Sequence, residues 1–167
     1  PGEYSLVDMP FSFLGQVETE EAGHSAGSAG DVDGDGLDDL LICGYRNDTP
    51  DYDTGRVYLV LAKSLTEPGV RSLGTADFTF VGEGEANRLG HSVASIGDMD
   101  GDGLPELAMG SYGNDEFMTD AGKTYIFPGS TLGDGGELVV GEDQWMFLGE
   151  GIDDVSGHAL RGADDVD

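Results

Sequence analysis

The chain has 167 residues and a formal net charge of −27, from 34 acidic and 7 basic residues, and 38% of its residues are hydrophobic. This charge argues against nucleic-acid binding, which needs a basic surface, and against docking on anionic lipid. The apolar runs are far shorter than the roughly 20 residues that cross a bilayer, so no membrane span is predicted. The chain begins at Pro1, and we expect a processed product or an excised segment.

Short strands are predicted along the chain. A first candidate at Pro10–Leu14 is followed by a set of four: His24–Ala29, Asp39–Gly44, Arg56–Leu61 and about Asp77–Val81. The set returns at His91–Ile96, Glu106–Gly110, Lys123–Phe127 and Gln144–Leu148. The 29 glycines favour tight turns, and helical periodicity is lacking, so the sequence predicts an all-β fold.

The chain repeats itself at an offset of 67 residues, which gives two full units, 1–67 and 68–134, and a truncated third, 135–167. Four antiparallel strands per repeat are typical of a β-propeller blade. We expect about two complete blades, at 23–81 and 90–148, flanked by orphan strands near 10–14 and 157–163. Because an isolated pair of blades exposes apolar faces, the remaining blades should come from a longer parent chain or from other chains.

An acidic loop joins the first two strands of each unit, at residues 31–39 and 98–106, and begins again at 165–167. Carboxylates at positions 1, 3, 5 and 9, with a glycine bend at position 6, form a cage for a hard cation, and Ca²⁺ fits such a flexible set better than Mg²⁺. Position 7 would offer its carbonyl oxygen while its side chain packs in the core. The predicted ligands are Asp31, Asp33, Asp35, Leu37 and Asp39 in the first loop, Asp98, Asp100, Asp102, Leu104 and Glu106 in the second, and Asp165 and Asp167 in the partial third.

Two other interpretations of the loops are weaker. An EF-hand needs a glutamate at position 12, where this chain has Ile42 and Met109, and it needs flanking helices. An ion-free acidic turn would place four repelling carboxylates on nine residues, twice over. Because each loop connects two strands, we expect the ion to stabilise the fold rather than to take part in catalysis.

The residues resemble the FG-GAP repeat of integrin α-subunit β-propellers and their bacterial relatives. The resemblance rests on Leu89-Gly90-His91-Ser92-Val93, on the calcium loop, on Asp39–Tyr45 and on Gly55-Arg56-Val57-Tyr58-Leu59. The name-giving triplets are degenerate, which argues against a true integrin function but not against the fold. We expect a bacterial-type relative. The resemblance implies that ligands bind opposite the calcium loops, on the segments 46–54, 113–121, 16–22 and 83–89.

Catalytic chemistry is not predicted. His24, His91 and His158 occupy one repeated position, so we interpret them as strand residues with satisfied hydrogen bonds, and the neighbouring serines would point to the opposite face. Cys43, the single cysteine, is interpreted as a small buried apolar residue. Trp145, which replaces a repeated phenylalanine, is assigned to packing rather than to sugar binding.

The sequence therefore predicts a non-enzymatic, calcium-stabilised propeller segment of a secreted or cell-surface protein. Its role would be adhesion or binding of a protein or glycan ligand. Two alternatives stay open: a carbohydrate-binding propeller, for which Tyr52, Tyr112 and Phe117 are the exposed aromatic candidates, and a scaffold within a larger extracellular enzyme.

Overall fold

The structure, a computed structural model, describes residues 10–141 and 144–162. The described part is all-β, as predicted, with short 3-10 turns at Ala62–Ser64, Leu73–Thr75 and Gly129–Thr131. The strands are β1 (Phe11–Leu14), β2 (Ala26–Gly30), β3 (Asp39–Gly44), β4 (Arg56–Val60), β5 (Gly69–Ser72), β6 (Phe78–Val81), β7 (Val93–Ser95), β8 (Leu107–Ser111), β9 (Lys123–Phe127), β10 (Gly136–Val139) and β11 (Trp145–Leu148). In these described residues no helix is long and apolar enough to cross a membrane.

The predicted blades are confirmed. Strands β2, β3, β4 and β6 form the first antiparallel blade, and β7, β8, β9 and β11 form the second. Each blade follows the chain order of its strands, so its connections alternate between the two ends of the sheet. The acidic loops therefore lie at one end of the blades, and the segments 46–54 and 113–121 lie at the other.

The core lies between the two blades. Strands β3, β4, β8 and β9 are buried on both faces, except for the half-buried Leu40. Phe80 of the first blade meets Phe127 of the second with ring centroids 4.9 Å apart at 70°, an edge-to-face contact. A smaller cluster of Ile42, Tyr58 and Leu73 packs on the other face of the first blade, toward β1.

Two equivalent glycines allow the backbones of neighbouring segments to approach closely. Gly55 has φ 83°, and a Cβ there would lie 2.4 Å from the backbone nitrogen and oxygen of Leu89. Gly122 has φ 76°, and a Cβ there would lie 2.4 Å from the backbone nitrogen and oxygen of Ser156. The Leu89 N–H donates to Thr54 O at 3.0 Å, so the entry to the second blade is held by the first.

Strands β5 and β10 were not predicted. Each lies in the connection between the third and fourth strands of a blade and pairs in parallel with an outer strand of the preceding unit, β5 with β1 and β10 with β6. The first blade therefore gains β10 as a fifth strand from the next repeat. These pairs link successive units through backbone hydrogen bonds.

The first strands begin later than predicted. β2 starts at Ala26 and β7 at Val93, because Gly23 and Gly90 adopt φ values of 86° and 88° that turn the chain just before them. The predicted orphan strand near 157–163 is not a strand in its described part, 157–162; Ser156 forms an isolated bridge with Gly122.

Candidate metal centre

Both acidic loops are shaped by glycines. Loop one (31–39) runs from the end of β2 to the start of β3, and loop two (98–106) lies between β7 and β8. Their glycines at positions 4 and 6 have positive φ values, 73° and 90° in loop one and 80° and 95° in loop two. Such values suit glycine and bend the backbone tightly, as the sequence predicts.

Loop two gathers four carboxylates. Asp98, Asp100, Asp102 and Glu106 each offer an oxygen atom, and these oxygens lie within 4.8 Å of one another. Backbone N–H groups fix their directions: the Gly103 N–H donates to Asp98 at 2.9 Å, and the Leu104 N–H donates to Asp102 at 2.9 Å. Four converging anionic oxygens are the donor set that a hard divalent cation takes.

Glu106 provides an independent sign that a cation fits loop two. The side chain is fully buried, and its Oε2 accepts from the Met99 N–H at 2.5 Å, whereas Oε1 has no hydrogen-bond partner. Burial raises the pKa of this carboxyl, and the nearby charges of Asp100 and Asp102 raise it further. A buried oxygen without a donor is costly, and a bound cation would satisfy it.

Loop one gathers three of its four predicted carboxylates. Asp31, Asp33 and Asp39 have oxygens within 4.8 Å of one another, and Asp35 lies outside this group. Asp39 is buried, and both its oxygens accept backbone hydrogen bonds, from Ala62 at 2.8 Å and from Val32 at 3.0 Å. Burial raises the pKa of Asp39, and these two hydrogen bonds oppose the shift.

A lysine contacts loop one. Lys63, in the 3-10 turn after β4, places Nζ 2.6 Å from Asp33 Oδ2, an ion pair that lacks hydrogen-bond geometry. The pKa of Lys63 is raised, chiefly by Asp33. The residue at the equivalent position in the second repeat is Ser130, which interacts with Asp102 and lowers the pKa of its carboxyl. Sequence reasoning missed this contact because the lysine lies 30 residues from Asp33 along the chain.

The side chains at position 7 differ from the expectation. Leu104 is half-buried and packs near Gly34 of loop one, where a Cβ on that glycine would lie 3.8 Å from Leu104 Cδ2. Leu37 is 55% exposed and does not pack in the core. Leu104 is partly covered because loop one of the preceding repeat lies beside it. Asp165 and Asp167 lie outside the described residues.

The segments opposite the acidic loops form a groove in each repeat, about 430 Å³ in the first and about 350 Å³ in the second. The first groove is lined by Glu18, Thr19, Glu21, Arg46, Asp48, Tyr52 and Asp53. The second is lined by Glu83, Gly84, Asn87, Asn114, Asp115 and Glu116. The structure thus brings together the segments predicted to bind a ligand, in two equivalent pairs.

The three histidines lie just outside the strands and form a row. The ring centroids of His24 and His91 are 4.9 Å apart, and those of His91 and His158 are 4.5 Å apart, with Tyr45 and Tyr112 packed beside them. Burial lowers the pKa of His91. A strand position was therefore a wrong interpretation for these residues, because the glycine before each one turns the chain. Their rings pack on one another across the repeats.

Comparison with known proteins identifies the repeats. The family model described as the FG-GAP repeat matches residues 23–60 and 89–127, which contain the first three strands of each blade and the intact acidic loops. Over 129 residues, or 74% of the chain, the sequence is 37% identical to integrin alpha-PS2 of Drosophila melanogaster. It is 33% identical to integrin alpha-5 of Xenopus laevis over 91% of the chain and 29% identical to human integrin alpha-IIb over 99%.

The chain spans a small part of these relatives: 9% of integrin alpha-PS2, 15% of integrin alpha-5 and 16% of integrin alpha-IIb. The similarity therefore concerns the repeated blades and not the whole receptors. The predicted origin in a bacterial-type relative stays a prediction.

Proposed function

Residues 23–60 and 89–127 are FG-GAP repeats, and from this premise we propose that the chain is a calcium-stabilised β-propeller segment of a secreted or cell-surface protein. Its role in this proposal is adhesion or protein binding, and the chain itself is not an enzyme. The observation that carries the proposal is loop two, where four carboxylates converge around a buried glutamate oxygen that lacks a donor.

Calcium is the proposed ion because the donors are all oxygens on a glycine-bent loop. Such a loop delivers six or more oxygens at relaxed distances, whereas Mg²⁺ demands stricter octahedral geometry and keeps more water. Each loop links two strands of a blade, so an ion bound there would hold β2 to β3 and β7 to β8. Extracellular modules of this kind bind with Kd values of roughly 10⁻⁴ to 10⁻³ M.

Thermal unfolding with and without calcium tests this role. At 10 mM Ca²⁺ a site with a Kd near 10⁻⁴ M adds about 2.7 kcal/mol, and we expect the melting temperature to rise by about 5 °C or more. Asp100→Ala should remove the larger part of the rise and Asp33→Ala a smaller part. Asp51→Ala, which removes one exposed charge away from both loops, is the control and should keep the full rise. An unchanged melting temperature after chelation would show that calcium does not stabilise the fold.

Ligand binding is proposed for the two grooves opposite the acidic loops, because strands of the scaffold hold both pairs of segments in the same arrangement. Tyr52, which is more than half exposed, lines the first groove and offers apolar contact area. Phe117, which is similarly exposed, follows Glu116 of the second groove along the chain. The whole protein that contains the chain should bind a member of a panel of purified extracellular proteins. Binding confined to a glycan array, or turnover in a hydrolase screen, would instead favour the carbohydrate-binding or the enzyme-scaffold alternative.

Neighbouring blades are the proposed structural partners. β6 is covered on its edge by β10 and on its face by the second blade, whereas β11, its equivalent, is exposed along its length. The same covering by a following blade is proposed for β11, supplied by a longer chain or by another chain.

A further inference from the structure

We propose that the two loops are unequal cation sites, and that Lys63 is the residue that makes them so. In this proposal, which rests on calcium binding to both loops, the Lys63 ammonium acts as an internal counter-cation of loop one. Loop two lacks that charge and binds calcium at lower concentration. Lys63 is then an affinity-determining residue rather than a ligand.

The position of Lys63 is fixed by the backbone. It lies in the 3-10 turn Ala62–Ser64, whose first N–H donates to Asp39 Oδ1 at 2.8 Å, so the turn packs directly on loop one. From there Nζ reaches Asp33 Oδ2 at 2.6 Å. The equivalent turn of the second repeat, Gly129–Thr131, carries Ser130 instead of the lysine.

The pairing is unusual for this chain because cations are scarce. Among the described ion pairs, the carboxylates that pair with Arg46, Arg56, Arg88 and Lys123 all lie outside the two loops. The ion pair of Lys63 is the one that reaches a loop carboxylate. With 34 acidic residues available, the placement of one of seven basic residues at Asp33 gives loop one a charge that loop two does not have.

Position 9 of the loops reinforces the difference. Both oxygens of Asp39 already accept backbone N–H groups, whereas Glu106 keeps one buried oxygen without a donor. Loop two therefore offers four converging carboxylates, and its buried Glu106 Oε1 has neither a hydrogen bond nor an ion pair. Loop one offers three carboxylates, and its Asp33 Oδ2, which also lacks a hydrogen bond, is ion-paired with Lys63. The Lys63 charge and the occupied oxygens of Asp39 both favour weaker calcium binding in loop one than in loop two.

A cation entering loop one must displace the ammonium from Asp33 or share the carboxylate with it. Either outcome weakens binding, and one unit charge beside a divalent ion near the surface changes the affinity by about tenfold at moderate ionic strength. Since the Lys63 side chain is 57% exposed, salt should reduce the effect.

Calorimetric titration of the chain with CaCl₂ at low salt tests the proposal. We expect two binding steps that differ by about tenfold or more, with Asp100→Ala removing the tighter step and Asp33→Ala the weaker one. Lys63→Ser copies the second repeat and should tighten the weaker step about tenfold, and Lys63→Gln, which keeps most of the stem, should act similarly. The reciprocal Ser130→Lys, at an exposed position, should weaken the tighter step.

The outcomes separate the inference from the function on which it rests. Two equal steps, or a weaker step that neither Lys63 variant changes at low salt, would overturn the role of Lys63 while leaving calcium binding in place. An absence of calcium binding at millimolar concentration in the folded chain would overturn the proposed function itself. Circular dichroism of each variant shows that the fold is retained before its titration is compared.

Discussion

A carboxylate fills the same place in both blades, buried in the first and partly exposed in the second, but it comes from different positions of the repeat. Glu20, 1% exposed, accepts from the Tyr58 hydroxyl at 2.8 Å and from Asn47 Nδ2 at 2.5 Å. Glu83 accepts from the Tyr125 hydroxyl at 2.6 Å and from Lys123 Nζ at 2.9 Å. Burial, followed by the neighbouring carboxylate, raises the pKa of each tyrosine.

The different repeat positions of Glu20 and Glu83 show what the sequence cannot predict at the residue scale. By the repeat, Glu20 corresponds to Asn87 and Glu83 to Gln16, so an alignment on the 67-residue offset separates the two functional equivalents. Only the folded chain shows that the two glutamates occupy equivalent places, Glu20 beside Tyr58 in the first blade and Glu83 beside Tyr125 in the second. The acidic loops were predictable because all their carboxylates lie within nine residues of each other.

Glycines inside strands give a residue-level prediction. A Cβ at Gly110, in β8, would lie 1.9 Å from the backbone oxygen of Gly157, so Gly110→Ala must push the two segments apart. We expect a loss of about 2–3 kcal/mol in the free energy of unfolding, measured by urea denaturation. The matched control is Gly27→Ala in β2, where nothing lies within 4 Å and the change should be neutral or slightly stabilising. Equal stabilities of the two variants would contradict the close contact at Gly110.

At the scale of elements, β1 and the strands of the two blades were predicted well, whereas β5 and β10 were missed. β5 and β10 are mostly exposed and carry little apolar pattern, so their sequences resemble loops. Their strand conformation comes from the backbone edges of β1 and β6, with which they pair in parallel. Pairing with a partner about 58 residues away leaves no local signal in the sequence.

Strand β3 contains a chemical probe of the first blade. Cys43, the single cysteine, is fully buried there, and burial raises the pKa of its thiol to about 11. At pH 8 the thiol should therefore stay protonated and react slowly with a disulfide reagent in the presence of calcium. Chelation should speed the labelling several-fold if calcium in loop one holds β2 to β3, and full denaturation should give the maximal rate. Fast labelling of the native, calcium-loaded chain would contradict the burial of β3.

At the scale of the whole molecule, the repeat predicted the blades because each one is a copy of the same strand order. The burial of equivalent side chains differs between the two blades, because it depends on which neighbouring strands cover them. Phe78 and Phe80 of β6 are at most 5% exposed, whereas their equivalents in β11, Trp145 and Phe147, are 50% and 62% exposed. The residue types are alike, so the difference in burial comes from the second blade and β10, which cover β6 alone.

The exposed strand β11 predicts how the isolated chain behaves in solution. Its free edge and its apolar side chains form an association surface of the kind that proteins normally cover, so the chain should associate as its concentration rises. Phe147→Lys places a charge where Phe80 is buried in the equivalent strand, and it should shift the chain toward monomer in light scattering with calcium present. Phe117→Lys, at a similarly exposed aromatic on the groove side, should leave the association unchanged. A wild-type chain that stays monomeric at every concentration would show that this surface needs no partner, because an uncovered β11 would then be stable in water.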